Sequence, residues 1–241
     1  MPPPVCPPPP PAPWRIYPYQ MVGGDPQLVF PAAEGHRDVA TDTWYASGVL
    51  RGGTSGRRYA FLTIFAKNEE ILDLLSADLH VLALFDLDAG TYDTGSRFDL
   101  PPGREHNLDR INVTRGRLEV SYTSSRRVSR MGTRADAAGG LHPFAYEFDL
   151  SGEARSGTEM AINLCADALK PPQAVGGAVH GGRITVYGQP DTYSYFQAVG
   201  YAGTLRWGET EEAVSGQIGW LDRQWFPEYA GRYAGVLADR L

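Results

Sequence analysis

The sequence predicts an all-β protein, folded as an antiparallel β-barrel or β-sandwich. Short runs rich in aromatic and β-branched residues recur along the chain, and clusters of turn residues separate them. Long helical patterns do not come between these runs, which argues against a parallel α/β fold. We count roughly nine to eleven strands, a number typical of a barrel or a sandwich.

The N-terminal part divides into a tail and an irregular segment. Residues 1–13 are mostly proline, so we expect polyproline II or disorder there and place the folded domain at residues 14–241. Residues 14–41 combine tyrosines with glycine and proline turn chemistry and predict irregular structure.

From residue 42 onward, hairpin patterns dominate. Residues 44–50 and 59–65 flank a glycine-rich turn, and residues 111–113 and 118–122 flank a second turn. Residues 68–75 alone suggest a helix, of about two turns. Further strands are predicted at residues 80–87, 144–150, 160–164, 194–199, 203–207 and 214–221.

Composition excludes several classes of function. The chain has 241 residues and a formal net charge of −6, with no basic stripe, so nucleic acid is not an expected partner. No apolar run approaches the ~20 residues of a transmembrane helix, and no signal peptide pattern opens the chain, so the cytoplasm is the expected location. P-loop and dinucleotide patterns are missing and the five histidines are dispersed, so neither a cofactor nor a metal is expected.

The two cysteines, Cys6 and Cys165, make no disulfide framework. Cys6 lies in the proline-rich tail, so we do not expect a bridge between them. Cys165 is interpreted as a small buried apolar residue.

Aromatic pairs at two strands are candidates for a ligand wall. Trp44 and Tyr45 are adjacent on a strand, so one ring should enter the barrel and the other should cover an outer surface. Tyr193 and Tyr195 should project to one side, where two phenols would orient a substrate. In both cases simple core packing is the competing interpretation.

The segment 219–225 contains the candidate catalytic acid. Trp220, Asp222 and Gln224 share one face of a strand, and Trp225 follows. A carboxyl group beside indole surface loses solvation, which raises its pKa and suits it to protonating an alkene or enol. The competing interpretation is a structural ion pair between Asp222 and an arginine such as Arg223.

These residues, in this order, resemble the lipocalin-like family of carotenoid 1,2-hydratases and AttH-type proteins. The resemblance covers about residues 40–225, and the motif at 220–225 is its most specific part. It implies two consecutive barrel halves, apolar ligands such as terpenoids or polyketides, and Asp222 as the proton donor. The matching aromatic positions are Trp44, Tyr45, Tyr193 and Tyr195.

The chain departs from this family in two ways. Arg223 stands where many members have histidine, and arginine does not relay protons near neutral pH. The family also continues well past the motif, whereas this chain stops at Leu241. We therefore expect either a truncated version, corresponding to the N-terminal half of the family architecture, or a domain that must pair with a partner to close its strand edges.

The predicted function is binding of an apolar small molecule in the interior or at the mouth of the barrel, by Trp44, Tyr45, Tyr193, Tyr195, Trp220, Gln224 and Trp225. If the chain is catalytic, we expect a hydratase or an isomerase or cyclase that uses Asp222 as its acid. The alternatives are a non-catalytic carrier or sensor of a hydrophobic ligand, and a β-scaffold that pairs through its strand edges or its proline tail.

Overall fold

Strands form where apolar and polar residues alternate along this chain, and the computed structural model joins them in one large antiparallel sheet. The structure describes residues 5–68, 78–98, 111–123, 127–186 and 189–227. The predicted all-β fold class is confirmed, because the sheet curls into a lipocalin-like half-barrel. The helix predicted at residues 68–75 lies outside the described residues, except for Asn68 at the end of a strand.

The strands account for most of the described chain, and the helices are short. Besides the strands there is a 3-10 helix at Ala32–Glu34 and a helix α1 at Gly177–His180. In the described part of the chain, no helix has the length and apolar character that a membrane crossing needs. In chain order the strands are β1 (Tyr19–Gln20), β2 (Val29–Phe30), β3 (Thr41–Gly52), β4 (Arg58–Asn68), β5 (Leu79–Asp86), β6 (Thr91–Phe98), β7 (Ile111–Val113), β8 (Glu119–Thr123), β9 (Val128–Ala135), β10 (Leu141–Glu153), β11 (Glu159–Ala168), β12 (Gln173–Ala174), β13 (Arg183–Val186), β14 (Gln189–Trp207) and β15 (Thr210–Phe226).

The order of strands in the sheet places the last strand in its middle. The main path runs β6-β5-β4-β3-β15-β14-β11-β10-β9-β8-β7, and β12 and β13 also pair with β14. Strand β15 therefore joins an N-terminal meander, β3 to β6, to the meander that begins at β7. This central position puts the motif at residues 220–225 between β3 and β14.

The sheet curls around one core. Strand β4 lies against β7 and β8, while β5 and β6 lie against β10, so the two ends of the sheet approach each other. Inward side chains fill the space between them, because every second residue of a strand points to the same side. The largest fully buried apolar side chains on that side are Trp44, Tyr59, Phe61, Phe65, Tyr146, Phe148, Tyr195 and Tyr201.

The N-terminal segment packs into the half-barrel. Leu28, Phe30 and Ala33 are fully buried. The rings of Tyr17 and Phe30 lie 5.1 and 5.4 Å from the ring of Phe144, between their centroids. Burial of these apolar side chains stabilises the segment by about 1.5–3 kcal/mol for each large one. The N-terminal segment, which the sequence predicts to be irregular, thus fills the interior of the half-barrel as a plug.

The prediction that Cys6 and Cys165 stay unpaired is wrong, because the structure joins them in a disulfide. The cysteines are 159 residues apart in sequence. Cys165 lies on β11, which pairs with β10 on one side and with β14 on the other. Arg134 adds a second tie by donating a hydrogen bond of 2.6 Å to the carbonyl oxygen of Pro7. Spacing along the chain cannot reveal such a bridge, because only the fold brings the tail to β11.

Candidate functional site

The motif on β15 divides between the two faces of the sheet. Leu221, Arg223 and Trp225 are buried on the inner face, while Trp220 is 38% exposed on the other. Asp222 and Gln224 are partly exposed and alternate with the buried set. We call the outward side chains of β3 to β6, β14 and β15 the outer face. The acid of the motif therefore lies on the outer face and not in the barrel interior.

Two strands hold Asp222 between aromatic side chains. Its cross-strand partners are Tyr45 on β3 and Phe196 on β14. The indole of Trp220 stacks on the ring of Phe196 with 4.0 Å between the centroids. The structure thus brings Tyr45, Trp220, Asp222 and Gln224 together, as neighbours on adjacent strands.

The pKa of the Asp222 carboxyl group lies above its ordinary value. Burial raises its pKa, while hydrogen bonds from Trp220 and Gln224 and the charge of Arg223 oppose the rise. Trp220 donates from Nε1 to Oδ2 over 3.3 Å, a long bond. Oδ1 is buried and finds no hydrogen-bond partner among the described residues.

An apolar groove opens on the outer face beside Trp220. Its volume is about 270 Å³. The floor of the groove includes Gly48 and Gly219, and the ring of Tyr201 packs against both glycines from the inner face. The register of β15 against β3 also shifts between Ser215 and Ile218, which loosens the pairing at this point. The lining residues are Ser47, Gly48, Val49, Ala60, Phe61, Ile218, Gly219 and Trp220.

Two further clefts are lined mainly by polar residues. One, of about 350 Å³, lies beside His36, Asp38, Lys67 and Asn68. The other, of about 220 Å³, lies at the far end of the half-barrel beside Arg57 and Asp86. An apolar ligand therefore matches the groove beside Trp220 better than either cleft.

The remaining predicted site residues pack on the inner face. The guanidinium of Arg223 lies 4.1 Å from the ring centroid of Trp44. Trp225 stacks on Tyr193 with 5.1 Å between the ring centroids, and Tyr195 contacts Phe30 edge to face. The structure confirms that Trp44 and Tyr45 point to opposite faces. It separates Trp44, Tyr193, Tyr195 and Trp225 from the acid by the thickness of the sheet.

Arg223 has a structural role that the sequence did not suggest. Its guanidinium forms a fully buried ion pair with Asp42 rather than with Asp222. It also donates to backbone carbonyls, including 2.7 Å to that of Gly35 and 3.1 Å to that of Thr43. These bonds fix the N-terminal segment to β3 and β15. The ion pair between Asp222 and Arg223, considered from the sequence, is thereby excluded.

Glu34 is the buried acid that sequence reasoning missed. Its Oε1 accepts hydrogen bonds from the hydroxyls of Tyr17, at 2.9 Å, and Tyr146, at 2.7 Å. Thr133 donates to Oε2 over 3.3 Å. Burial raises the pKa of Glu34 to about 7. Tyr146 and Thr133 are 112 and 99 residues away in sequence, so no local pattern marks this network.

Comparison with known proteins supports the fold. No protein-family model matches the sequence, and no curated protein matches it. The crystal structure of a Nitrosomonas europaea protein designated a candidate AttH aligns with a TM-score of 0.62 and 19% identity, over 84% of this chain and 57% of that chain. The crystal structure of CghA with Sch210972 aligns with a TM-score of 0.45 and 13% identity, over 80% of this chain and 47% of that chain.

The fold defines this chain as a lipocalin-like β domain. Its particular likeness is to the AttH-like fold of the Nitrosomonas europaea protein, and at 19% identity that likeness concerns the fold alone. The chain spans less than two thirds of the length of either solved chain.

Proposed function

We propose that the outer face beside Trp220 binds an apolar small molecule of the terpenoid, polyketide or lipid-like class, and that Asp222 donates a proton to it. The observation that carries the proposal is a partly buried carboxyl group with a raised pKa, two residues along β15 from Trp220, which lines an apolar groove. Pockets that bind such molecules combine apolar walls with a few placed polar groups. Here Val49, Ala60 and Ile218 supply apolar wall. Asp222, on the same face of β15 as Trp220, supplies the polar group at the margin of the groove.

The proposed reaction begins with protonated Asp222. The acid gives its proton to one carbon of a double bond, and the π electrons form the new C–H bond. The neighbouring carbon becomes cationic, and the rings of Trp220 and Phe196 stabilise it by up to ~2 kcal/mol in a dry site. Water then adds to the cation and returns a proton to the Asp222 carboxylate, which completes a hydration. An internal nucleophile in place of water gives cyclisation.

A second candidate function is carriage of the ligand without turnover. The observation that favours it is the orientation of Arg223, the residue directly after the acid. Arg223 points into the core and pairs with Asp42, so it does not take part in proton transfer at Asp222. A carrier would use the same groove and the same aromatic wall.

Binding is tested with Nile red, a neutral apolar dye, and with mass spectrometry of small molecules that copurify with the chain. We expect Trp220→Ala to weaken dye binding at least about tenfold, equivalent to about 1.4 kcal/mol. Trp207→Ala is the matched control, because Trp207 lies at the far end of β14, beside Asp93. Equal weakening by both variants would place the dye elsewhere and contradict the proposal.

Catalysis is tested with the molecule that copurifies or its alkene precursor. The rate should fall as the pH rises through the pKa of Asp222, because only the protonated acid donates. Asp222→Asn should abolish turnover. A ligand recovered unaltered, with no turnover by the wild-type chain, would support the carrier. Turnover that Asp222→Asn leaves unchanged would remove Asp222 from the reaction.

A further inference from the structure

The middle of the outer face is far less polar than an ordinary solvent-facing sheet surface. Three adjacent cross-strand rows form this middle, and Asp222 is the one charged side chain in these rows among the described residues. The paired residues Arg51 and Arg58 flank the rows on one side. Exposed sheet faces normally alternate with the core in polarity and carry charged residues. The rows are Tyr92, Phe85, Ala60, Val49 and Ile218; Thr94, Ala83, Leu62, Ser47, Trp220 and Ala198; and Ser96, Val81, Ile64, Tyr45, Asp222 and Phe196.

The size of these three rows is comparable with that of a protein interface. Six strands at ~4.8 Å and three rows at ~6.8 Å give about 600 Å² of flat area. This is about three quarters of the ~800 Å² that each partner buries in a standard interface. Large contiguous apolar surface of this kind marks an interaction site on a protein.

The outer face also carries a projecting side chain and a groove next to it. Ile218 projects from β15 and is 72% exposed. Directly beside it lies the groove of about 270 Å³, larger than an isoleucine side chain. A knob and a hole on the same surface allow two copies related by a two-fold axis to fill each other's grooves. The formal net charge of −6 makes two copies repel each other overall, whereas the three rows bring one charged side chain from each copy, Asp222, to the contact.

We infer that a second copy of this chain packs on the outer face, so that the chain forms a symmetric dimer with the Asp222 sites at its interface. Bound small molecules usually lose 70–90% of their surface to the protein. A groove on one sheet face covers one side of a ligand, so the second copy supplies the opposite wall. This closure of the site rests on the proposed function, whereas the dimer itself does not.

Sedimentation velocity of the full chain at micromolar concentration tests the dimer. We expect wild type to sediment at twice the chain mass, and Ile218→Lys and Tyr92→Lys to sediment at the chain mass. Both side chains are exposed, so folding should persist, which circular dichroism checks. Val179→Lys is the matched control, because Val179 is 86% exposed on α1 and lies off the outer face. It should remain dimeric.

A monomeric wild type overturns the inference, and so does a dimer that persists in both outer-face variants, which would place the contact at other surfaces such as the edge strands β6 and β7. A monomer that cosediments with neutral phosphatidylcholine vesicles also overturns it and assigns the face to lipid.

Nile red binding to wild type and to Tyr92→Lys separates this inference from the proposed function. Tyr92 lies on β6, away from the groove. Binding by the dimer and at least tenfold weaker binding by the monomer supports closure by the second copy. Equal dye binding by the wild-type dimer and by the Tyr92→Lys monomer overturns the inference that the second copy closes the site. That outcome leaves the proposed function unaffected. If neither binds, the proposed function fails, while the sedimentation result still decides the dimer.

Discussion

Two buried titratable residues, Glu34 and His80, contribute in opposite directions to the pH dependence of the stability of this chain. Burial raises the pKa of Glu34 from 4.5 to about 7 and lowers the pKa of His80 from 6.5 to about 4. The folded chain therefore holds the Glu34 proton that the unfolded chain releases above about pH 4.5. It also excludes the His80 proton that the unfolded chain binds below about pH 6.5.

The two groups act in opposite directions. The contribution of Glu34 is fully present below pH 4.5 and is lost as the pH rises to about 7. The contribution of His80 is present above pH 6.5 and is lost as the pH falls to about 4. Each amounts to about 3 kcal/mol at most, because one unit of pKa corresponds to about 1.4 kcal/mol. Between pH 4.5 and 6.5 the two slopes should largely cancel.

We therefore predict opposite slopes in the two single variants. In Glu34→Gln, the free energy of unfolding should rise between pH 4.5 and 6.5, because only the His80 contribution remains. In His80→Gln it should fall over the same range, while wild type stays nearly level. Urea unfolding at each pH, followed by tryptophan fluorescence, measures these slopes. Parallel curves for wild type and Glu34→Gln would show that Glu34 does not change its protonation on folding.

At the level of elements, the sequence predicts the strands whose apolar residues alternate clearly. The hairpins β3–β4 and β7–β8 form as predicted, since each pairs across its turn. Strands β6 and β9 were missed, because their threonine, serine and arginine residues conceal the alternation. The predicted runs 194–199 and 203–207 are one strand, β14, which continues through Gly200 and Gly203.

The neighbours of β15 could not be predicted from local pattern. Asp222 pairs with Tyr45, which is far away in sequence, and only this pairing sets which aromatic rings flank the acid. The alternation rule did predict that Trp220, Asp222 and Gln224 share a face. It could not tell whether that face is inward or outward, because each side of this strand carries one tryptophan and one charged residue, Trp220 and Asp222 on one side and Arg223 and Trp225 on the other.

Gly219 tests how closely strands β14 and β15 must approach beside the groove. A Cβ atom at this position would lie 2.5 Å from the backbone oxygen of Val199 and would also clash with the ring of Tyr201. We predict that Gly219→Ala lowers the free energy of unfolding by about 1–3 kcal/mol, as overpacking does. Gly132→Ala is the control, because its Cβ would meet Leu118 O at 3.8 Å, and it should change stability by no more than ~1 kcal/mol. Equal effects would mean that the contact with Tyr201 relaxes freely.

For the whole molecule, the Cys6–Cys165 disulfide ties the N-terminal tail to the sheet. A bridge between residues this far apart restricts the unfolded chain across most of its length, because it closes a loop of about 160 residues. Such bridges persist in oxidising compartments, whereas the cytoplasm expected from the sequence keeps thiols reduced. Non-reducing peptide mass spectrometry of the chain isolated from its native source therefore distinguishes the two environments.

We predict that removing this bridge lowers the free energy of unfolding by about 5 kcal/mol, the loop-closure effect for a loop of this size. Urea unfolding of oxidised wild type, reduced wild type and Cys6→Ser measures it. Reduced wild type and Cys6→Ser should unfold at the same, lower urea concentration, and reductant should leave Cys6→Ser unchanged. The hydrogen bond from Arg134 to Pro7 is too weak to hold the tail by itself, since one such bond contributes about 1.5–3 kcal/mol at most. Unfolding curves that coincide for oxidised and reduced wild type would show that the plug of residues 14–40, without the bridge, fixes the N-terminus.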